Sequence, residues 1–127
     1  MKIDAAARYR SSHEWARKEG SLIVTGISDH AQESLGDIVF VELPEAGKSF
    51  KQGQTFGVIE SVKAASDLYM PMGGKIVAVT DALGGDPSVV NKDCYGAGWL
   101  IKFEPTNPAE WEGLLSGADY EKEAAAH

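Results

Sequence analysis

The sequence predicts a mainly β fold, a pseudo-twofold sandwich or flattened barrel with short helices after the second strand and at the C-terminus. Three observations carry this. Glycine and proline supply 14 and 5 of the 127 residues, more than an average chain holds, so turns are frequent and elements short. The apolar runs are brief and rich in β-branched residues, as strands are. A weak internal echo joins Gly36-Asp37-Ile38-Val39-Phe40-Val41 to Gly74-Lys75-Ile76-Val77-Ala78-Val79, each followed by a Gly-led strand, at Gly53 to Ile59 and at Gly96 to Ile101. Two similar β units around one hairpin suggest a twofold sandwich.

The elements follow in order. Glu14 to Lys18, the turn Glu19-Gly20, and Ser21 to Gly26 read as strand, turn, strand. Ser28 to Gly36 reads as a short helix, with Ser28 as N-cap, Asp29 in the first turn and Gly36 as its stop. Asp37 to Leu43 is a strand ended by Pro44, and Ser49-Phe50 a short strand. Thr55 to Glu60 and Ala65 to Met70 form a hairpin whose turn carries Lys63, closed by Pro71. Lys75 to Thr80 is a strand. Asp81 to Tyr95 is loop with a turn or two of helix, and Gly98 to Glu104 is the last strand. Asn107, Pro108 and Glu110 spell an N-cap, N1 and capping box for a further helix. A second helix is expected from about Ala118 to Glu123, before a fraying end. The whole reads as one domain, 1–127, with a core from about 9 to 120.

Twelve basic and 19 acidic residues leave a net charge of −7. Residues 1–26 carry a surplus of two positive charges, so the rest of the chain is strongly negative. That balance argues against sequence-independent nucleic-acid binding and favours basic surfaces on partners. The apolar runs are far shorter than a bilayer span of about 20 residues, and Met1 to Arg10 has no signal-peptide core. No membrane or nucleic-acid partner is expected, and nothing points away from a monomer. A single cysteine, Cys94, forms no internal disulfide.

The usual catalytic signatures are missing: no Gly-rich phosphate loop, no cysteine pair and no metal-ligand spacing among His13, His30 and His127. Lys63 stands apart. Small residues follow it (Ala64, Ala65, Ser66) and carboxylates flank it (Glu60, Asp67). Flanking negative charge favours the protonated amine, whereas a Schiff-base or general-base lysine wants burial or another cation. From the residues alone two readings stay open: a solvated turn lysine, or a lysine displayed for modification by an external enzyme.

The stretch Glu60-Ser61-Val62-Lys63-Ala64-Ala65-Ser66-Asp67 resembles the lipoyl-attachment motif of the H proteins of the glycine cleavage system. Ser12-His13-Glu14-Trp15 is similar to that family's N-terminal signature. Gly26 to Gln32 and Leu35 to Pro44 are similar to its central motif, and Val90-Asn91, Tyr95-Gly96 and Gly98-Trp99-Leu100 to its C-terminal one. The match runs in order from about Tyr9 to Tyr120.

The resemblance implies a barrel-sandwich hybrid of the lipoyl and biotinyl type and a non-catalytic carrier, with lipoate in amide linkage to Lys63. It implies the partners too. The P protein, a pyridoxal-phosphate-dependent glycine decarboxylase, loads an aminomethyl group. The T protein, an aminomethyltransferase, receives it. The L protein, a dihydrolipoyl dehydrogenase, reoxidises the arm, and a lipoate ligase or octanoyltransferase attaches it. An H-like donor of lipoyl or octanoyl groups to other lipoyl domains is the alternative. Because a loaded aminomethyl group is hydrolysable, a shelter for the arm is expected, with Glu14, His30 and Asp67 as candidates. Bacterial cytoplasm, or the mitochondrial matrix for a mature organellar chain, suits such a carrier.

Two departures stand out. Cys94 falls where proline is common in the family, and Met70-Pro71-Met72-Gly73-Gly74 differs from the commoner A-P-x-S-G pattern. A biotin carrier is disfavoured because Val62 and Ala64, not methionines, flank the lysine. A 2-oxoacid dehydrogenase lipoyl domain is disfavoured because the turn reads Val-Lys-Ala and no linker is evident.

Overall fold

Alternating in-and-out residues build nine strands in a computed structural model that describes residues 1–125. The strands are β1 (Arg8–Tyr9), β2 (Glu14–Glu19), β3 (Leu22–Ile27), β4 (Ile38–Glu42), β5 (Ser49–Phe50), β6 (Thr55–Ser61), β7 (Ala65–Tyr69), β8 (Gly74–Val79) and β9 (Ile101–Pro105). Four short helices join them: α1 (Asp29–Leu35), α2 (Ala82–Gly85), α3 (Val89–Lys92) and α4 (Gly117–Ala125), with a 3-10 helix at Pro108–Gly113. One sheet has the order β1-β2-β3-β9-β8-β5, and the other β4-β6-β7. All pairs are antiparallel.

The two sheets close on one core. Ile38, Ile59 and Leu68 from the small sheet meet Ile23, Ile76, Ile101 and Phe103 from the large one, all nearly inaccessible to solvent. The outer face of the large sheet carries a second cluster, in which Tyr9, Trp15 and Val24 are capped by Tyr120 and Ala124 of α4. Gly26 belongs to that face: a Cβ there would stand 2.8 Å from the Trp15 ring, so only glycine lets the indole lie on β3.

The echo in sequence is an echo in space. β4 pairs with β6, and β8 with β9. Each pair carries a register shift at the same place in the repeat, between Ile38 and Phe40 and between Ile76 and Ala78.

Several expectations need correction. β1 was not expected; it is two residues long and too short for a periodic signal. The last strand begins at Ile101 rather than Gly98, because Asp93 and Gly96 draw the amides of Gly98 and Trp99 into a turn. The helix expected after Asn107 is a 3-10 turn. Asn107 does accept from the Ala109 amide at 3.3 Å, but no capping box forms. Glu110 turns to the Gly73 amide at 2.9 Å instead, tying this turn to the β7–β8 connection. Contacts reach beyond residues 9 to 120 at both ends. Ala7 and Ala124 are buried, Lys2 N–H donates to Asp29 at 2.7 Å, and Tyr95 Oη–H donates to the Lys2 carbonyl at 2.9 Å. Part of the tail expected to fray, residues 126 and 127, lies outside the described residues.

One buried group is unsatisfied. Thr25 is fully buried on β3, two residues from Ile23 and Ile27 and therefore on their core-facing side. Its hydroxyl has no hydrogen-bond partner. A buried hydroxyl without a partner costs free energy that an isosteric methyl does not. Thr25→Val is therefore expected to stabilise the fold by about 1 kcal/mol, read as a higher midpoint in urea unfolding. An unchanged or lower midpoint would show that the hydroxyl has a partner after all.

Candidate functional site

Lys63 sits at the tip of the β6–β7 hairpin. Two-residue hairpin turns usually need positive φ at their central residues, yet neither Val62 nor Lys63 has it. Ser61 closes the turn differently. Its amide donates to the Ala64 carbonyl at 2.8 Å, and its hydroxyl oxygen accepts from the amides of Lys63 and Ala64, both at 3.1 Å. The tip is also tied sideways, by Val62 N–H donating to the Asp37 carbonyl at 3.0 Å.

Asp37 belongs to a junction pinned from a distance. Asn91 of α3 accepts from the Ile38 amide at 2.9 Å. Its side-chain amide donates to Gln32 Oε1 at 3.0 Å and to the Gly36 carbonyl at 2.9 Å. One side chain thus locks the end of α1 to the start of β4. Gly36, at φ 78 and ψ −154, ends α1 in a conformation that is nearly glycine's alone. The lysine lies alongside it: a Cβ at Gly36 would stand 3.4 Å from Lys63 Cε and 3.8 Å from Nζ.

The residues next to Gly36 lead into a cavity of about 170 Å³. Ser34 and Leu35 of α1 form one wall, and Ser66, Asp67 and Leu68 of β7 another. Ile27 and Ile59 extend the apolar lining, and Ser12, His13 and Glu14 form the polar end. β7 begins two residues after Lys63 and runs along this cavity, which Ser66, Asp67 and Leu68 line.

Glu14 is almost completely buried. One carboxylate oxygen accepts from the Ser12 hydroxyl, which in turn accepts from Arg10. The other accepts from the Tyr69 amide at 3.0 Å. Burial pushes the Glu14 carboxyl above the ordinary carboxylate range, against the pull of these hydrogen bonds and of Arg10. His13 is the one non-glycine among the described residues with positive φ, at 84°. Its carbonyl accepts from the Ser28 amide at 2.9 Å, and its Nδ1 shares a hydrogen bond with Tyr120 Oη at 2.6 Å. The same Oη lies 2.6 Å from Ser28 Oγ, which caps α1 by accepting from the Ala31 amide. The wall of the cavity is thus braced by the C-terminal helix.

A family model described as glycine cleavage H-protein matches residues 7–127. The chain belongs to the glycine cleavage H-protein family. It is 52% identical to the glycine cleavage system H protein of Myxococcus xanthus, over 93% of this chain and 92% of that one. It is 56% identical to glycine cleavage system H protein 2 of Pseudomonas aeruginosa, over 94% of this chain and 92% of that one. The crystal structure of a glycine cleavage system H protein from Mycobacterium marinum superposes with a TM-score of 0.89 at 37% identity, covering 97% of this chain and 99% of that one. The fold is therefore the lipoyl-type β-sandwich of the H proteins, and among the described residues no helix is long and apolar enough to cross a membrane.

Within this H-protein frame the expected residues separate. Lys63, Ser61, Val62 and Ala64 form the turn. Glu60 lies on the outer face of the small sheet, opposite Phe40 and Ala65. Glu14, Ser66 and Asp67 line the cavity, whereas His30 stands behind it, its ring 5.0 Å from that of His13. The carboxylates that bracket Lys63 in sequence make no ion pair with it, because Glu60 and Asp67 are directed to these other surroundings. Ser12, His13 and Asn91 were not singled out, although each lies in a quoted motif. Cys94 is buried, with its thiol pushed up to about 12 by burial, so it offers no thiolate for exchange with a disulfide. Its carbonyl accepts from the Trp15 indole at 3.1 Å, and its role is structural.

Proposed function

We propose that Lys63 carries lipoate in amide linkage and that this H protein is the mobile-arm carrier of a glycine cleavage system. Family membership supports the carrier role. The observation that carries the residue assignment is the placement of Lys63 on a pinned hairpin tip, beside the glycine that leads into the cavity holding Glu14 and Asp67. The cavity suits such an arm. Ile27, Leu35, Ile59 and Leu68 match its hydrocarbon, and the two carboxylates match an amine at its end.

A lipoyl group held on Lys63 would supply a dithiolane, the chemistry by which an aminomethyl group could pass from the P protein to the T protein and the arm be reoxidised by the L protein. The chain's own residues do the holding. Ser61 and Asn91 keep the attachment point in one geometry for every partner. Glu14 has lone pairs free beyond those engaged by Ser12 and Tyr69, and so can accept from a protonated amine, with Asp67 beside it. An incoming ammonium draws Glu14 into its ionised form. The apolar walls keep water from the retracted arm between visits. Bond making and breaking fall to the partner enzymes, and the acidic surface suits basic docking faces on them.

The fully lipoylated protein is expected to support exchange of glycine carboxyl with bicarbonate by P protein, and Lys63→Arg to support none. Absence of exchange by the lipoylated wild type would sink the glycine cleavage reading and leave the relay-donor role.

A further inference from the structure

The exposed large apolar side chains among the described residues are Met1, Val39, Phe40, Val62 and Val77. Three of these five gather at the lysine end. Ile38 pairs with Ser61 and Phe40 with Glu60, and the extra residue, Val39, makes a bulge. In a regular strand Phe40 would share the inward face of Ile38. The bulge turns both Val39 and Phe40 outward, 53% and 50% exposed, and returns Val41 to the core. Val62 is two residues beyond Glu60, the cross-strand partner of Phe40, and is 67% exposed. Val62 N–H donates to the Asp37 carbonyl at 3.0 Å, which holds it at the end of β4 that carries Val39. The bulge at Val77 in the other half of the repeat is followed by Ala78, not an aromatic. Asp37 and Glu60 border the patch at the lysine end and Glu42 at the opposite end of β4, all three exposed.

We propose that Val39, Phe40 and Val62 form the docking surface for the enzyme that acylates Lys63. This rests on the assignment of Lys63 as the modified residue. The occupant follows from reach. An enzyme that works on Nζ of a bare lysine must close over the hairpin tip and the strand beside it. Enzymes that work at the far end of the finished arm need not. The acylating enzyme should present an apolar depression with a basic border, complementary to the acidic margin. In the step it performs, the neutral Lys63 amine forms an amide with an activated lipoyl or octanoyl carbonyl. The carbonyl's bond to its adenylate phosphate or carrier thiol breaks, and the amine's proton leaves to that group.

The test is the rate of acylation of purified apo-protein by lipoate ligase with ATP and lipoate, followed by intact mass. Phe40→Ser, Val62→Ser and their double variant are compared with Val77→Ser, an exposed valine at the matching bulge. The double variant is expected to lose roughly tenfold or more in kcat/KM, through KM, and Val77→Ser to stay within about twofold. After exhaustive acylation, the double variant's arm should be reduced by L protein and NADH at the wild-type rate. Because Val62 is the most exposed of the three, its single variant keeps the test readable should Phe40→Ser lower stability. Acylation of both single variants and the double at the wild-type rate, an equal loss in Val77→Ser, or an equal loss in the L-protein reaction would overturn the assignment. If wild-type protein itself takes no acyl group on Lys63, the carrier reading fails and this inference with it.

Discussion

Glu14→Gln is expected to raise the thermal midpoint at neutral pH and, in the same protein, to release the arm from its shelter. The two effects have one origin. Glu14 is a buried carboxylate whose pKa is raised in the folded state, mainly by desolvation. A group of this kind contributes stability that is fully present below its unfolded-state pKa and is lost as pH rises through the folded value. At neutral pH the ionised form is therefore a burden on the fold, and glutamine removes it. The amide keeps the hydrogen bonds, its oxygen accepting from the Tyr69 amide and its NH2 donating to Ser12. The stability difference should be positive at neutral pH and shrink on acidification, as wild-type Glu14 becomes neutral. A glutamine variant less stable at neutral pH, or a difference independent of pH, would show that Glu14 is not strained by burial.

The functional loss is larger. Removing one partner of a desolvated charge pair costs about 2–5 kcal/mol, which is roughly thirtyfold or more in an equilibrium. The lifetime of an aminomethyl group on isolated, fully lipoylated protein should shorten accordingly in Glu14→Gln. An unchanged lifetime would remove Glu14 from the shelter. Acidification of the wild type should move in the same direction as the substitution, since protonating Glu14 removes the same charge.

Gly36→Ala is the second expected loss. At φ 78 and ψ −154 an alanine is strained by about 1–3 kcal/mol, and its Cβ would stand 3.4 Å from Lys63 Cε. Stability and acylation should both fall. The acylation rate at a temperature where the variant is fully folded separates the two effects. A stability loss with normal acylation would mean that the lysine is indifferent to its neighbour. Asn91 argues for the coupled outcome, since its side chain holds the Gly36 carbonyl and the Ile38 amide together.

The parts of this site readable in sequence are those set by near neighbours in the chain. The β6–β7 hairpin, its lysine turn, the Ser28 cap and the Gly36 stop all follow from local chemistry, and so does the twofold echo, whereas the bulge inside each copy leaves no sign in the residues. The braces were not readable. Asn91 reaches residues 53 to 59 positions away, and Tyr120 meets His13 across 107. Bonds of that span leave no periodic trace. The same cause explains Glu110, whose local capping pattern yields to Gly73, 37 residues upstream. It also explains why Glu60 and Asp67, three and four positions from Lys63 in sequence, do not pair with it: strand alternation and the cavity take them elsewhere.

The most direct measurement of the carrier assignment is the mass of the intact chain after co-expression with a lipoate ligase and lipoate, with peptide mapping. One lipoyl increment on the peptide containing Lys63, absent from a folded Lys63→Arg variant, is the expected result. An increment on another lysine, or an unmodified folded chain beside an H protein that the same ligase modifies, would contradict it.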